Sequence, residues 1–190
     1  MDTALQLSPG RLHLIVAPPA LGLQLANTFI VRLALVGRVR VLDGGNHFEA
    51  HRIARLLRRQ TSDLYAALER IQVQRAFTCH QMLAMLVHSA TSPEPLLVLD
   101  MLSTFYDESA PQMERARLLE HSLGQLRRLS SIAPVAVSLP LSPPADIARQ
   151  GAAPDRAVFL YSQAMERLET IADQVWRFET PPLQVQPRLL

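Results

Sequence analysis

Residues 12–17, L-H-L-I-V-A, form an almost continuous apolar run between Arg11 and the pair Pro18-Pro19. A short apolar stretch without alternation points to a strand covered on both faces, the usual condition of a parallel sheet held between helix layers. After the break, residues 23–36 place apolar side chains at helical spacing and stop at Gly37. A buried strand, a tight turn and a helix, in that order, commit the chain to the α/β class before any other residue is read.

The rest of the chain repeats the alternation. Strands are expected at residues 38–42, 71–77, 96–100, 135–139 and 175–179. Helices are expected over 47–59, with Ile53, Leu56 and Leu57 inward, and over 62–70, with Leu64 and Leu68 on one side. A further helix opens at Thr78, where Gln81 three positions on completes a capping box, and carries Met82, Leu83, Leu86 and Val87. Residues 112–132 repeat apolar positions at Ala116, Leu119, Leu123, Leu126 and Leu129, and residues 156–173 form the last helix. Residues 101–111 read as a loop or short extension, 140–154 as an exposed, mobile loop rich in Pro, Ala and Gly, and 183–185 as the return of a hairpin. The pattern predicts one domain over residues 1–190, with 1–10 as a short lead and a mostly parallel, three-layer α/β sheet.

Composition excludes several classes. At 48% hydrophobic residues, the 190-residue chain has the make-up of a globular protein with a sizeable core. Its one cysteine, Cys79, rules out an intramolecular disulfide and fits a reducing cytoplasm. The most apolar region, residues 21–36, is interrupted by Asn27 and Arg32, so no membrane span is expected. The net charge of +2 does not by itself call for nucleic acid. All 19 basic residues are arginine; the chain has no lysine.

The lack of lysine matters for residues 17–24, which lie where a strand–turn–helix unit of this shape carries a phosphate-binding P-loop, G-x-x-x-x-G-K-[ST]. That loop uses glycines so that backbone N–H groups wrap phosphate, a lysine for the β- and γ-phosphates and a hydroxyl for Mg²⁺. Here the first glycine is Ala17, the second is retained as Gly22, the lysine is Leu23 and the hydroxyl is Gln24. Pro18 and Pro19 have no N–H to offer. No other lysine can substitute, and arginine is a planar fork rather than a compact charge.

Four segments in order extend the comparison: A-P-P-A-L-G-L-Q at 17–24, V-L-D-G-G-N-H-F-E-A-H-R-I at 41–53, R-A-F-T-C-H-Q at 75–81, and L-L-V-L-D at 96–100, followed by a helix and P-V-A-V-S-L-P. Together they resemble the RecA/RadA recombinase ATPase core, over nearly the whole chain. The resemblance implies a three-layer P-loop fold and assigns roles by position. The glutamate that polarises the attacking water falls on Gly45, the Walker B aspartate is retained as Asp100, and the γ-phosphate sensor falls on Leu139-Pro140. With lysine, hydroxyl, glutamate and sensor all replaced, ATP hydrolysis by this chain alone is not expected, because charge-stabilising groups supply most of the rate of phosphoryl transfer.

Other residues invite chemistry. Arg52, Arg55, Arg58 and Arg59 make a basic helix face, which reads first as a solvated surface and second as a contact for phosphates or an acidic partner. The loop at 140–154, in the place of the family's second DNA-binding loop, offers Arg149, with Arg156 just after it, and no aromatic ring for base stacking. Phe105 and Tyr106 lie where the first such loop begins, beside the repelling Asp107 and Glu108. His47 and His51 read as two polar histidines at the start of an exposed helix rather than metal ligands, and Cys79 as a buried thiol.

The expectation is a RecA-like pseudo-ATPase with no cofactor and no metal, acting as a binding or assembly subunit for a RecA-like partner or a homo-oligomer, with DNA repair or recombination as its setting and no membrane. The alternative is an ATPase whose loop is completed by a partner's arginine or an unusual geometry. A third reading is a small-molecule or signalling protein that reuses the altered pocket, which an apolar cleft around Leu21, Leu23 and Asp100 would favour.

Overall fold

The computed structural model describes residues 6–89, 92–106, 110–142 and 154–179. In chain order the elements are β1 (Leu12–Ala17), α1 (Pro19–Val36), β2 (Val39–Asp43), α2 (Ala50–Arg58), α3 (Leu64–Glu69), β3 (Ile71–Arg75), α4 (Cys79–His88), β4 (Leu96–Leu99), a 3₁₀ turn (Met101–Tyr106), α5 (Gln112–Ser130), β5 (Val135–Pro140), α6 (Pro154–Ile171) and β6 (Gln174–Arg177). The strands form one six-stranded sheet in the order β3-β2-β4-β5-β1-β6, and every pairing is parallel. The α/β expectation holds. The predicted hairpin at 183–185 and most of the loop at 140–154 lie outside the described residues.

Period-two alternation divides the core. Leu12, Leu14 and Val16 of β1 point to one face with Met82 and Leu86 of α4, Leu123 and Leu126 of α5, and Tyr161 and Leu168 of α6. Ile15 points to the other, with Phe29 and Ile30 of α1, Ile53 and Leu57 of α2, and Ala67 of α3. The helices therefore make two layers around the sheet. Both faces of β1, β2 and β4 are buried, which is why β1 and β4 read as nearly continuous apolar runs, while β2 also buries Arg40 and Asp43. β3 is the edge strand and alternates half-buried Ile71 and Val73 with exposed Gln72 and Gln74. At the opposite edge, β6 is anchored by Trp176, stacked on His13 (centroids 5.0 Å apart) and on Phe29 (5.9 Å).

Several boundaries and faces differ from the sequence reading. The helix expected at 47–59 begins at Ala50, because residues 44–48 are held as a loop by Asp43. In α3 it is Ala67, between Leu64 and Leu68, that is fully buried, and in α2 Leu56 is only half-buried. Val87 and Ala116, which share the apolar spacing of their helices, are exposed: α4 and α5 pack through Met82, Leu86, Leu119 and Leu123, and these two positions lie beyond that seam. The capping box at Thr78 forms with one change. Thr78 Oγ1 accepts from the Gln81 N–H at 3.2 Å, while Gln81 Oε1 accepts from the N–H of Phe77, one residue before the cap.

Helix α1 is long and apolar enough, by composition, to cross a membrane. Here Ala26, Phe29, Ile30, Val31 and Ala34 bury against the sheet.

Candidate functional site

The largest departure from expectation is at the C-terminal end of β1. The helix begins at Pro19, four residues before the predicted start, so the segment that would wrap phosphate is the first turn of α1. Proline suits that place: its fixed φ is helical and its missing N–H is one the helix would not use. Gly22 is an ordinary helical residue whose N–H donates to the Pro18 carbonyl at 2.8 Å. With prolines at the cap and first position, only Ala20 and Leu21 keep N–H groups that the helix itself cannot use. The carbonyl of Ala17 is taken by the N–H of Leu141 at 3.2 Å.

The second part of the site grows from Asp43, the fully buried last residue of β2. Its Oδ1 accepts the N–H of His47 at 2.8 Å, and its Oδ2 accepts the N–H of Phe48 at 2.9 Å and Nε of Arg75 at 3.2 Å. Asp43 thus folds the G-G-N-H loop back over the C-terminal end of β4, with Asn46 in the left-handed region (φ 55°), where asparagine is tolerated. The loop delivers the His47 ring to Asp100, with Nε2 3.3 Å from Oδ2. Asp100 follows β4 at φ 44°, donates its N–H to the Ser138 carbonyl at 2.8 Å, and accepts the Ser103 hydroxyl on Oδ2 at 2.5 Å. Its side chain is 4% exposed, and Oδ1 has no hydrogen-bond partner among the described residues. Asp100 raises the pKa of His47, first by the hydrogen bond and also by its charge, against the opposing effect of burial.

The glycines before His47 are required by this geometry. A Cβ on Gly44 would lie 2.8 Å from the Asp100 carbonyl oxygen and 3.0 Å from the Met101 Cα. A Cβ on Gly45 would lie 2.5 Å from the His47 ring and 2.9 Å from the Asp100 Cβ. The position that the resemblance gives to a catalytic glutamate is therefore packed against His47.

Between the first turn of α1, the end of β5 and the His47–Asp100 pair lies a cleft of about 470 Å³, lined mainly by Ala17, Pro19, Ala20, Gly22, Leu23, Ala26, Leu99, Leu139 and Pro140. Among the described residues its polar groups are those of His47, Asp100, Ser138 and Ser142, and none of them is an arginine. The wall is apolar where phosphate would need donors, and the acidic side chain that lines it is Asp100. Such a surface disfavours a triphosphate.

Of the residues singled out from the sequence, the structure brings Ala17, Gly22, Leu23 and Asp100 together in this cleft, whereas Gln24 is exposed on α1 and does not line it. Arg52, Arg55, Arg58 and Arg59 lie exposed along α2, with Arg52 3.9 Å from Glu49. Arg149 lies outside the described residues, as do Asp107 and Glu108, and Arg156 lies in the first turn of α6. Tyr106 stacks on Tyr161 (centroids 6.3 Å, 13° between planes), so its ring is engaged within the fold. Cys79 is buried, as expected.

The reading of His47 and His51 as a like pair on one helix is corrected. His47 precedes α2 and faces Asp100, and only His51 is on the helix, with its Nε2 3.9 Å from Glu49. Asp43, Ser103 and Ser138 were not singled out. For Asp43 a signal existed: an aspartate ending a strand before Gly-Gly-Asn is an Asx-turn former. Among the described residues, no three His, Cys, Asp or Glu side chains gather closely enough to hold a metal ion. Compared with known proteins, the chain matches no family model and no curated protein.

Proposed function

We propose that this chain is a non-catalytic subunit on a RecA-like core, binding or assembling with a partner protein instead of hydrolysing nucleotide. The observation that carries the reading is the helix that starts at Pro19, where a phosphate loop would stand. A P-loop works because consecutive N–H groups converge on an anion and a lysine closes over it. Here two prolines remove N–H groups, Gly22 uses its own within the helix, and Leu23 replaces the lysine. The crowding of Gly45 by His47 and the apolar Leu139 at the sensor position support the same reading.

The partner class is a RecA-like protein or a second copy of this chain, in a cytoplasmic recombination or repair assembly. The rigid parallel sheet presents helix faces for docking. Nucleic acid is the second reading, favoured by the exposed arginines of α2, since Arg55, Arg58 and Arg59 form no ion pair among the described residues.

The test is calorimetry with ATP–Mg²⁺ together with a phosphate-release assay on Asp100→Ala. No heat of binding and no release from either protein are expected; hydrolysis abolished by Asp100→Ala overturns the proposal. Fluorescence anisotropy of a labelled single-stranded oligonucleotide at two salt concentrations separates the partner classes. Salt-sensitive binding lost on neutralising Arg55, Arg58 and Arg59 together identifies nucleic acid, and no binding leaves protein partners.

A further inference from the structure

We infer that the cleft beside Asp100 binds a small apolar molecule carrying a single primary-amine head, with Asp100 as its anchor. This goes beyond the assembly role and does not depend on which partner the chain docks.

Three observations meet at one place. The cleft of about 470 Å³ has the size of a small-molecule site. Its walls are aliphatic, from Ala20, Leu23, Ala26 and Leu139 among others, which suits a hydrocarbon body. At its polar end, the carboxylate of Asp100 is 4% exposed and has one oxygen already engaged by Ser103 (2.5 Å) and His47 (3.3 Å), while Oδ1 has no partner among the described residues. A buried carboxylate oxygen left unpaired is costly, and a donor that satisfies it recovers that cost, most of all when the donor is a cation. Asp100 already lines the cleft, so a donor held there lies beside its carboxylate.

Charge chooses the head group. Among the described residues, the titratable ones lining the cleft are Asp100 and His47, with no arginine beside them. An anionic head would face Asp100 with no fixed cation to offset it, and a neutral hydroxyl would gain the hydrogen bond without the charge. An ammonium gains both. The anchor is also built rather than incidental. Asp100 is held at φ 44° by its N–H bond to Ser138, and Gly44 and Gly45 lack the Cβ atoms that would collide with Asp100 and with the His47 ring.

The experiment is ligand-observed NMR and calorimetry on the full chain with three probes of one shape: 2-phenylethylamine, 2-phenylethanol and 3-phenylpropionate. The amine should bind saturably at millimolar concentration, the alcohol more weakly and the carboxylate not at all. Asp100→Asn keeps the shape and should weaken the amine about ten- to a hundredfold while leaving the alcohol nearly unchanged. Gly22→Leu places a side chain in the cleft from a helical position whose Cβ would make only ordinary contacts (nearest atoms at 3.7 and 3.8 Å) and should abolish binding in a folded protein. Equal binding of the carboxylate, amine binding indifferent to both variants, or no saturable amine binding overturns the inference. ATP–Mg²⁺ is added as a competitor: displacement of the amine by ATP would refute the non-catalytic reading while leaving the amine site standing.

Discussion

Replacing Gly22 by alanine separates a helix from a phosphate loop in one measurement. In a phosphate-wrapping loop, glycine at this position serves close backbone approach or a conformation that side chains resist, and alanine is harmful. Here Gly22 sits within α1, and a Cβ there would meet the Ala17 Cβ at 3.7 Å, the Ser138 Oγ at 3.8 Å and the Ala17 carbonyl oxygen at 3.9 Å, all ordinary contacts. Alanine is favoured over glycine in a helix interior by about 0.8–1.0 kcal/mol. The added methyl, partly covered by Ala17 and Ser138, contributes up to about 0.8 kcal/mol more. The expected gain is about 1–1.8 kcal/mol, or roughly 2–7 °C in Tm for a chain of this size. Gly124 supplies the control: it is exposed in α5 with nothing within 4 Å of its Cβ, so Gly124→Ala should report helix propensity alone, about 1 kcal/mol. Urea melts of the parent and both variants read the difference, provided that the m-values agree. Destabilisation by Gly22→Ala with a normal gain from Gly124→Ala would refute the helical reading of the altered loop.

Gly44→Ala should destabilise by about 1–3 kcal/mol, because its Cβ would meet the Asp100 carbonyl oxygen and the Met101 Cα, backbone atoms that cannot swing aside; a neutral urea melt would contradict the packing. Asp43→Ala removes the acceptor of three donors at a fully buried position and should cost about 2–3 kcal/mol, with faster amide exchange at His47 and Phe48. The His47 pKa is raised by Asp100, so its contribution to stability is full below its ordinary value of 6.5 and is lost as pH rises through the folded value. His13 has the opposite sign: burial lowers its pKa, so its contribution is full above 6.5 and is lost as pH falls through the folded value. Melts above pH 6.5 therefore isolate His47, and the decline of stability with rising pH should flatten in His47→Gln; an unchanged slope would remove the Asp100 interaction from the account. Gly45→Ala should push the His47 ring off Asp100 and bring its pKa back toward 6.5 by NMR titration, without large unfolding.

The α/β class and the strand sequence were legible because the apolar runs of β1 and β4, covered on both faces, are short and bounded by turn residues, a length that suits a strand and not a helix. Thr78 and Gln81 marked the start of α4 by local chemistry alone. The start of α1 was placed four residues late because the P-loop comparison held residues 19–22 in a loop, although Pro19 at the first helical position is itself a start signal. Val87 and Ala116 had the right spacing for an inward face; their exposure is decided by where α4 and α5 meet.

What the sequence determined by itself is the subtraction: with no lysine in the chain, and with two prolines and Leu23 at residues 17–24, the lysine and part of the backbone donors of a P-loop are missing under any fold, since no packing creates a side chain. What replaced them was decided by the tertiary structure. His47 and Asp100 are 53 residues apart in sequence, and nothing local links them. They meet because β2 and β4 are hydrogen-bonded neighbours in the sheet and because buried Asp43 turns the loop after β2 over the end of β4. The cleft is likewise a product of assembly, formed where α1, β5 and that pair converge, and the unpaired oxygen of Asp100 acquires its chemical meaning from the burial that the fold imposes on it.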